Sequence, residues 1–209
     1  SLGASMTSGL AGMNGLEAIF ANPAGLALNT GTAAIFSRMN YVADIGVSYF
    51  GIGQNFGNNN IAFTVSTWDF GDIPLQTESA PEISSVTYGA TFMTAGLTYA
   101  RVFTDRISAG TTLKVVSESI DDVNASAIAF DAGMTYVVGE SGLRLGVALK
   151  NIGTKLQYGG VGLTRQVQLP DQTSSATNNA VQLESEGVEL PSLLNVGVSY
   201  TREMGAGAM

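Results

Sequence analysis

The 209-residue sequence contains no cysteine and no histidine. The first absence excludes disulfides, thiolate metal sites and cysteine nucleophiles; the second removes the commonest general base and zinc ligand. Charge is scarce as well, at 12% of residues, about half the roughly 25% of an ordinary soluble domain. Only nine residues are Lys or Arg, against 17 Asp and Glu, giving a net charge of -8 and a pI near 4.3. Phosphate backbones need clustered cations, so no nucleic-acid partner is expected. No cofactor and no metal site is expected either. Glycine, by contrast, is abundant, with 26 copies.

Low charge and a positive mean hydropathy point first to membrane helices, and the chain does not support them. Uncharged windows run over 18–37, 45–68 and 83–100. Asn, Gly, Thr, Ser or Pro interrupts each of them every second or third residue, so none is the run of about 20 apolar residues that a spanning helix needs. The remaining way to satisfy a backbone in lipid is a closed β-barrel.

The periodicity agrees with strands. Ile128, Phe130, Ala132, Met134, Tyr136 and Val138 alternate with Ala127, Ala129, Asp131, Gly133, Thr135 and Val137. Leu143, Leu145, Val147 and Leu149 alternate with Arg144, Gly146, Ala148 and Lys150. The same period of two recurs over 107–115 and 194–201, and less cleanly over 32–41, 44–54, 60–70 and 88–102, where Phe50, Trp68 and Phe92 fall on the less apolar row. A soluble sandwich also has two-faced strands. The barrel is preferred because the segments exceed the 5 or 6 residues usual in globular strands, and because Gly, Ala, Ser and Thr fill the polar row where Lys and Glu would face water. Aromatic residues near segment ends, including Tyr41, Phe56, Phe70, Tyr88, Phe103, Tyr136, Tyr158 and Tyr200, suit interfacial girdles.

Short connections at 55–59, 104–106 and 139–142 alternate with longer ones at 71–87, 119–125 and 157–190, as periplasmic turns alternate with external loops. The longer set gathers the acidic residues Asp72, Glu78, Glu82, Asp121, Asp122, Asp171, Glu184, Glu186 and Glu189, read as a solvated loop surface. The loop at about 157–190 is polar and read as a mobile external loop, with a partner-binding surface as the alternative.

Residues 1–30 lack the period of two. Met6, Leu10, Met13, Leu16, Ile19 and Phe20 fall at helical spacings. Asn22, Pro23, Ala24, Gly25 and Leu26 then form a turn, with Pro fixing φ and Gly admitting conformations closed to other residues. This segment reads as a compact plug ahead of a barrel over 31–209. On the inner row, Lys114, Asp131, Arg144 and Lys150 are expected to form a polar network bracing the wall and open to contact with the plug.

The run GLEAIFANPAGLAL ahead of strands resembles the N-terminal hatch of the FadL-like outer-membrane superfamily. The stretch from Leu97 to Gly160, with its Thr-Asp-Arg turn, Ala-Phe-Asp-Ala-Gly strand and Leu-Arg-Leu-Gly-Val strand start, resembles the PorV/PorQ branch. The resemblance covers roughly residues 14 to 200. It implies an all-β, transmembrane antiparallel β-barrel in the bacterial outer membrane, surrounded by outer-membrane lipid and serving type IX secretion in Bacteroidetes-like bacteria. Implied partners are the secretion translocon, attachment-complex subunits and cargo C-terminal domains. Family barrels have about fourteen strands; about eight can be placed here, so the chain reads as an incomplete version of a longer protein or a divergent small barrel. A FadL-like channel for hydrophobic small molecules is the alternative function, and a structural or filament-forming surface protein a weaker one. An enzyme is not expected: a hydrolytic serine would have no His to activate it, and Asp121 and Asp122, adjacent in a turn, point apart.

Overall fold

The computed structural model describes residues 10–41, 45–74, 87–167 and 179–201. Met6, Glu78, Glu82 and Asp171 lie outside them. The fold is a long antiparallel meander: β1 (Thr32–Asn40), β2 (Gly46–Phe56), β3 (Asn59–Pro74), β4 (Thr87–Thr104), β5 (Ile107–Ile120), β6 (Val123–Val138), β7 (Leu143–Gly153) and β11 (Leu193–Tyr200) pair in that order. Between β7 and β11 come β8 (Gln157–Gly159), which pairs with β6, and a separate hairpin of β9 (Thr164–Val167) and β10 (Asn179–Gln182). All pairings are antiparallel.

Local chemistry explains the short turns. Gly57 takes a φ of 71° between β2 and β3, a conformation nearly free only for glycine. Thr104 Oγ1 accepts from the backbone N–H groups of Arg106 and Ile107, building the turn into β5. These turns and 139–142 all lie at one end of the sheet. At the other end, the connection expected over 119–125 is only the two-residue turn Asp121–Asp122, with Asp121 at φ 50°. The sequence overestimates it because Ser119, Ile120, Val123 and Asn124 are in register across the hairpin. The long loop is partly anchored: Leu156 pairs with Val188, and Leu156, Tyr158 and Leu190 pack on Ala125 and Ala127.

The two faces have opposite character. One carries large apolar side chains that nothing covers: Leu97 is 56% exposed, Leu113 57%, Ile128 55% and Val196 62%. The other carries Ala62, Thr98, Ala100, Thr112 and Ala148, all buried beneath the N-terminal segment. That segment forms two short 3-10 helices, η1 (Leu16–Phe20) and η2 (Pro23–Leu28). The main core consists of Leu16, Ile19, Leu26 and Ala27 against Ala62 and Ala100. Small residues are inside and large ones outside, the reverse of a soluble sandwich. Phe50 belongs with Ile52 on the uncovered face, in register with Phe36 and Val65. Trp68 and Phe92 sit opposite one another on the inner face, toward the end with the longer loops.

The sheet is curled but not closed. Six successive strands, β2 to β7, border one cavity of about 250 Å³. On a flat sheet the outer two would stand about 24 Å apart, whereas a compact cavity of that volume is about 8 Å across. Closure into a barrel, expected from the sequence, is absent among the described residues: β1 pairs only with β2, and β11 only with β7. The inner face also has a second load to hold, the plug. An eight-stranded barrel has room for its own side chains, whereas this inner face also holds residues 10–28.

Candidate functional site

The inner face is built to receive backbone. Four glycines from four strands meet the plug at distances that leave no space for a methyl group. A Cβ on Gly133 would lie 1.9 Å from Asn22 Oδ1, one on Gly110 2.5 Å from the Pro23 carbonyl oxygen, one on Gly146 2.3 Å from the Leu10 carbonyl oxygen, and one on Gly53 2.8 Å from Leu16 Cδ2. Asn22 is the centre of this seat. Its Oδ1 accepts from Ala24 N at 3.0 Å, capping η2, while Nδ2 donates to the carbonyls of Leu10 (2.8 Å) and Met134 (3.3 Å). One buried amide therefore ties together two parts of the plug and β6. Pro23 fills the first helical position, where its missing N–H costs nothing. Ala24, Gly25 and Leu26 follow, all buried.

Side chains from the sheet complete the attachment. Asn60 Nδ2 donates to Ala27 O (3.0 Å), Tyr49 Oη to Leu16 O (3.0 Å), Asn55 Nδ2 to Asn29 O (3.2 Å) and Lys150 Nζ to Phe20 O (2.6 Å). Lys150 also stands 5.0 Å from the Phe20 ring centroid, within cation–π range.

The polar residues singled out on the inner row divide between two places. Lys114 Nζ and Asp131 Oδ2 form a buried ion pair at 2.7 Å. Asp131 Oδ1 accepts from Asn151 N at 2.7 Å, and Lys114 also donates to Asn151 Oδ1 at 2.5 Å. This triad sits on a β-bulge, where register shifts so that Lys150 and Asn151 of β7 stand against Asp131 of β6. Asn151 takes a φ of 60° there, a conformation asparagine tolerates better than most residues. Its Nδ2 reaches on to Pro191 O, so the bulge also holds the start of β11. Lys150 lines the same cavity as Lys114 and Asp131. Arg144 does not: it lies six residues earlier on β7, beside Asp105, Arg106 and Met13, in a smaller cavity toward the short turns. The shared inner row made these four look like one group, but the plug divides that row.

Toward the longer loops, Trp68, Phe92, Glu118, Ala125 and Tyr158 stand opposite one another across five strands. The Tyr158 phenol in the loop segment is pushed up to about 12 by its hydrogen bond to the Glu118 carboxylate, with burial adding to the effect. Sequence reading missed Tyr49, Asn60, Asn151 and the seat glycines. The available signal was a glycine on the inner row of nearly every strand. Among the described residues no helix is long and apolar enough to cross a membrane, which says nothing of a β-barrel, and no group of three metal-ligating carboxylates occurs. No family model, curated protein or solved structure matches the chain.

Proposed function

We propose that the curled sheet is wall of an outer-membrane β-barrel plugged by its N-terminal segment, and that the protein is a non-enzymatic accessory of type IX secretion. The observation carrying the membrane part is the inversion of the sheet, with large apolar side chains uncovered along seven or more strands and small ones packed on the plug. Lipid is the surroundings in which such a face is satisfied. Unpaired edges are costly in lipid, so in a membrane the free edges of β1 and β11 need a pairing partner. The secretory role rests on the resemblance of the stretch from Leu97 to Gly160 to the PorV/PorQ branch.

Two measurements test these parts separately. Leu113→Arg places a charge in the middle of the outer row. In a bilayer it should cost about 2–4 kcal/mol of folding free energy, read from urea titration in lipid vesicles. An effect within about 0.5 kcal/mol, usual for a soluble protein's surface, would refute the lipid-facing assignment. Affinity capture from gently solubilised membranes should recover a translocon, an attachment-complex subunit or cargo; recovery of the barrel protein alone in several mild detergents would count against the secretory role.

A second reading, a channel for hydrophobic small molecules, is favoured by one feature. An apolar groove of about 830 Å³ runs between the plug and β1, lined by Phe20, Ile35, Met39, Val47, Tyr49 and Trp68. Uptake of a labelled long-chain fatty acid into proteoliposomes, abolished by deleting residues 1–30, would favour this reading over secretion.

A further inference from the structure

The cavity beside the Lys114–Asp131 pair has an unbalanced polar inventory. Its walls carry two ammonium groups and one carboxylate. That carboxylate is committed on both oxygens, to Lys114 Nζ and Asn151 N. Lys114 uses two of its three N–H donors, on Asp131 and Asn151; Lys150 uses one, on the Phe20 carbonyl, and has no acidic partner among the described residues. Three ammonium donors therefore remain. Thr64, Ser66 and Thr94 add hydroxyls to the same walls. The one acidic side chain of the plug residues 10–28, Glu17, lines the adjoining apolar groove and not this cavity.

We propose that this cavity binds a small oxyanion, a carboxylate or phosphate group, held by Lys150 and Lys114 against the hydroxyl-bearing walls of β3 and β4. Its volume of about 250 Å³ lies just below the range of sites for drug-sized ligands, about 300–1,000 Å³, and sets the ligand as a compact one. Surplus positive charge, free N–H donors and hydroxyls that donate or accept complement an oxyanion. A cation would meet two ammonium groups, and an uncharged apolar molecule would leave those groups without partners. Lys150 couples the site to the plug through the Phe20 carbonyl. The site is independent of the secretory reading, because the inner face of the sheet and the plug alone form it.

Trp68, the sole tryptophan, lines the cavity and the adjoining groove, so its fluorescence reports binding, and the Lys150 variants assign that binding to the cavity. The full protein in detergent is titrated with inorganic phosphate and, separately, with butyrate, using sodium chloride at matched ionic strength as baseline. The expected result is a saturable change in Trp68 emission at millimolar concentration. Saturation by one oxyanion alone assigns the ligand to that class; saturation by both, with mutual competition, assigns the shared group. Lys150→Met should weaken the response about tenfold or more, equivalent to about 1.4 kcal/mol, while Lys150→Arg retains it. Ser66→Leu, which fills the cavity without touching the plug attachment, should abolish it. A response no greater than that to chloride, or identical titrations for wild type and both Lys150→Met and Ser66→Leu, would overturn the proposal.

Discussion

Replacing Gly133 by valine should unseat the plug while leaving the strands paired. Asn22 Oδ1 occupies the space that a β-carbon on residue 133 would need, at 1.9 Å. Neither neighbour can yield: Gly133 is in register with Gly110 within the sheet, and Asn22 is held by three hydrogen bonds. The plug must move, leaving the buried Leu10 carbonyl and the part-buried Met134 carbonyl without the Asn22 amide. An orphaned buried group costs about 1–3 kcal/mol, and overpacking adds a comparable amount. We expect a loss of about 3 kcal/mol, or about 6–12 °C on the scale of domains of 150–250 residues. Limited proteolysis should cut within residues 10–28 of the variant and spare them in the wild type. Gly89→Ala is the control, because a Cβ there meets nothing within 4 Å. Equal melting and equal protection of the two variants would show that the plug does not depend on this seat.

That steric relation marks the limit of what the sequence discloses. The alternation of Ile128, Phe130 and Met134 with Ala127, Ala129 and Gly133 identifies a two-faced strand, because side chains in a strand alternate between faces. It also puts the small residues together on one face. It does not reveal that Gly110, Gly133 and Gly146 form a single seat, since that depends on inter-strand register and on a segment about 100 residues earlier in the chain. Period alone misplaces Phe50 for a related reason: Val47 and Tyr49 make the inner row of β2 as apolar as the outer, and only the pairing with Phe36 and Val65 assigns the faces. Arg144 shares a strand face with Lys150, and period alone cannot show that the plug comes between their cavities.

Replacing Asp131 by leucine should produce the other large effect, for an electrostatic reason. The carboxylate neutralises Lys114 in a buried setting and accepts the backbone N–H of Asn151 at the bulge. Removing it strands a buried ammonium, which typically costs about 3–5 kcal/mol. It also removes the side-chain oxygen that fixes the left-handed Asn151. Asp131→Asn keeps an acceptor for that N–H and loses only charge, so it should fall between wild type and Asp131→Leu in melting temperature. The decisive variant is Asp131→Leu combined with Lys114→Met. If the cost is an uncompensated cation, deleting the cation should recover most of the loss, because a buried pair replaced by apolar side chains of similar size is often close to neutral. Such recovery would make the pair a device for register: the bulge, and through Asn151 the docking of Pro191 ahead of β11, is fixed by a contact that adds little net stability. A double variant as unstable as Asp131→Leu would instead assign the cost to the Asp131–Asn151 contact. An unchanged Asp131→Leu melting temperature would refute any bracing role for the network.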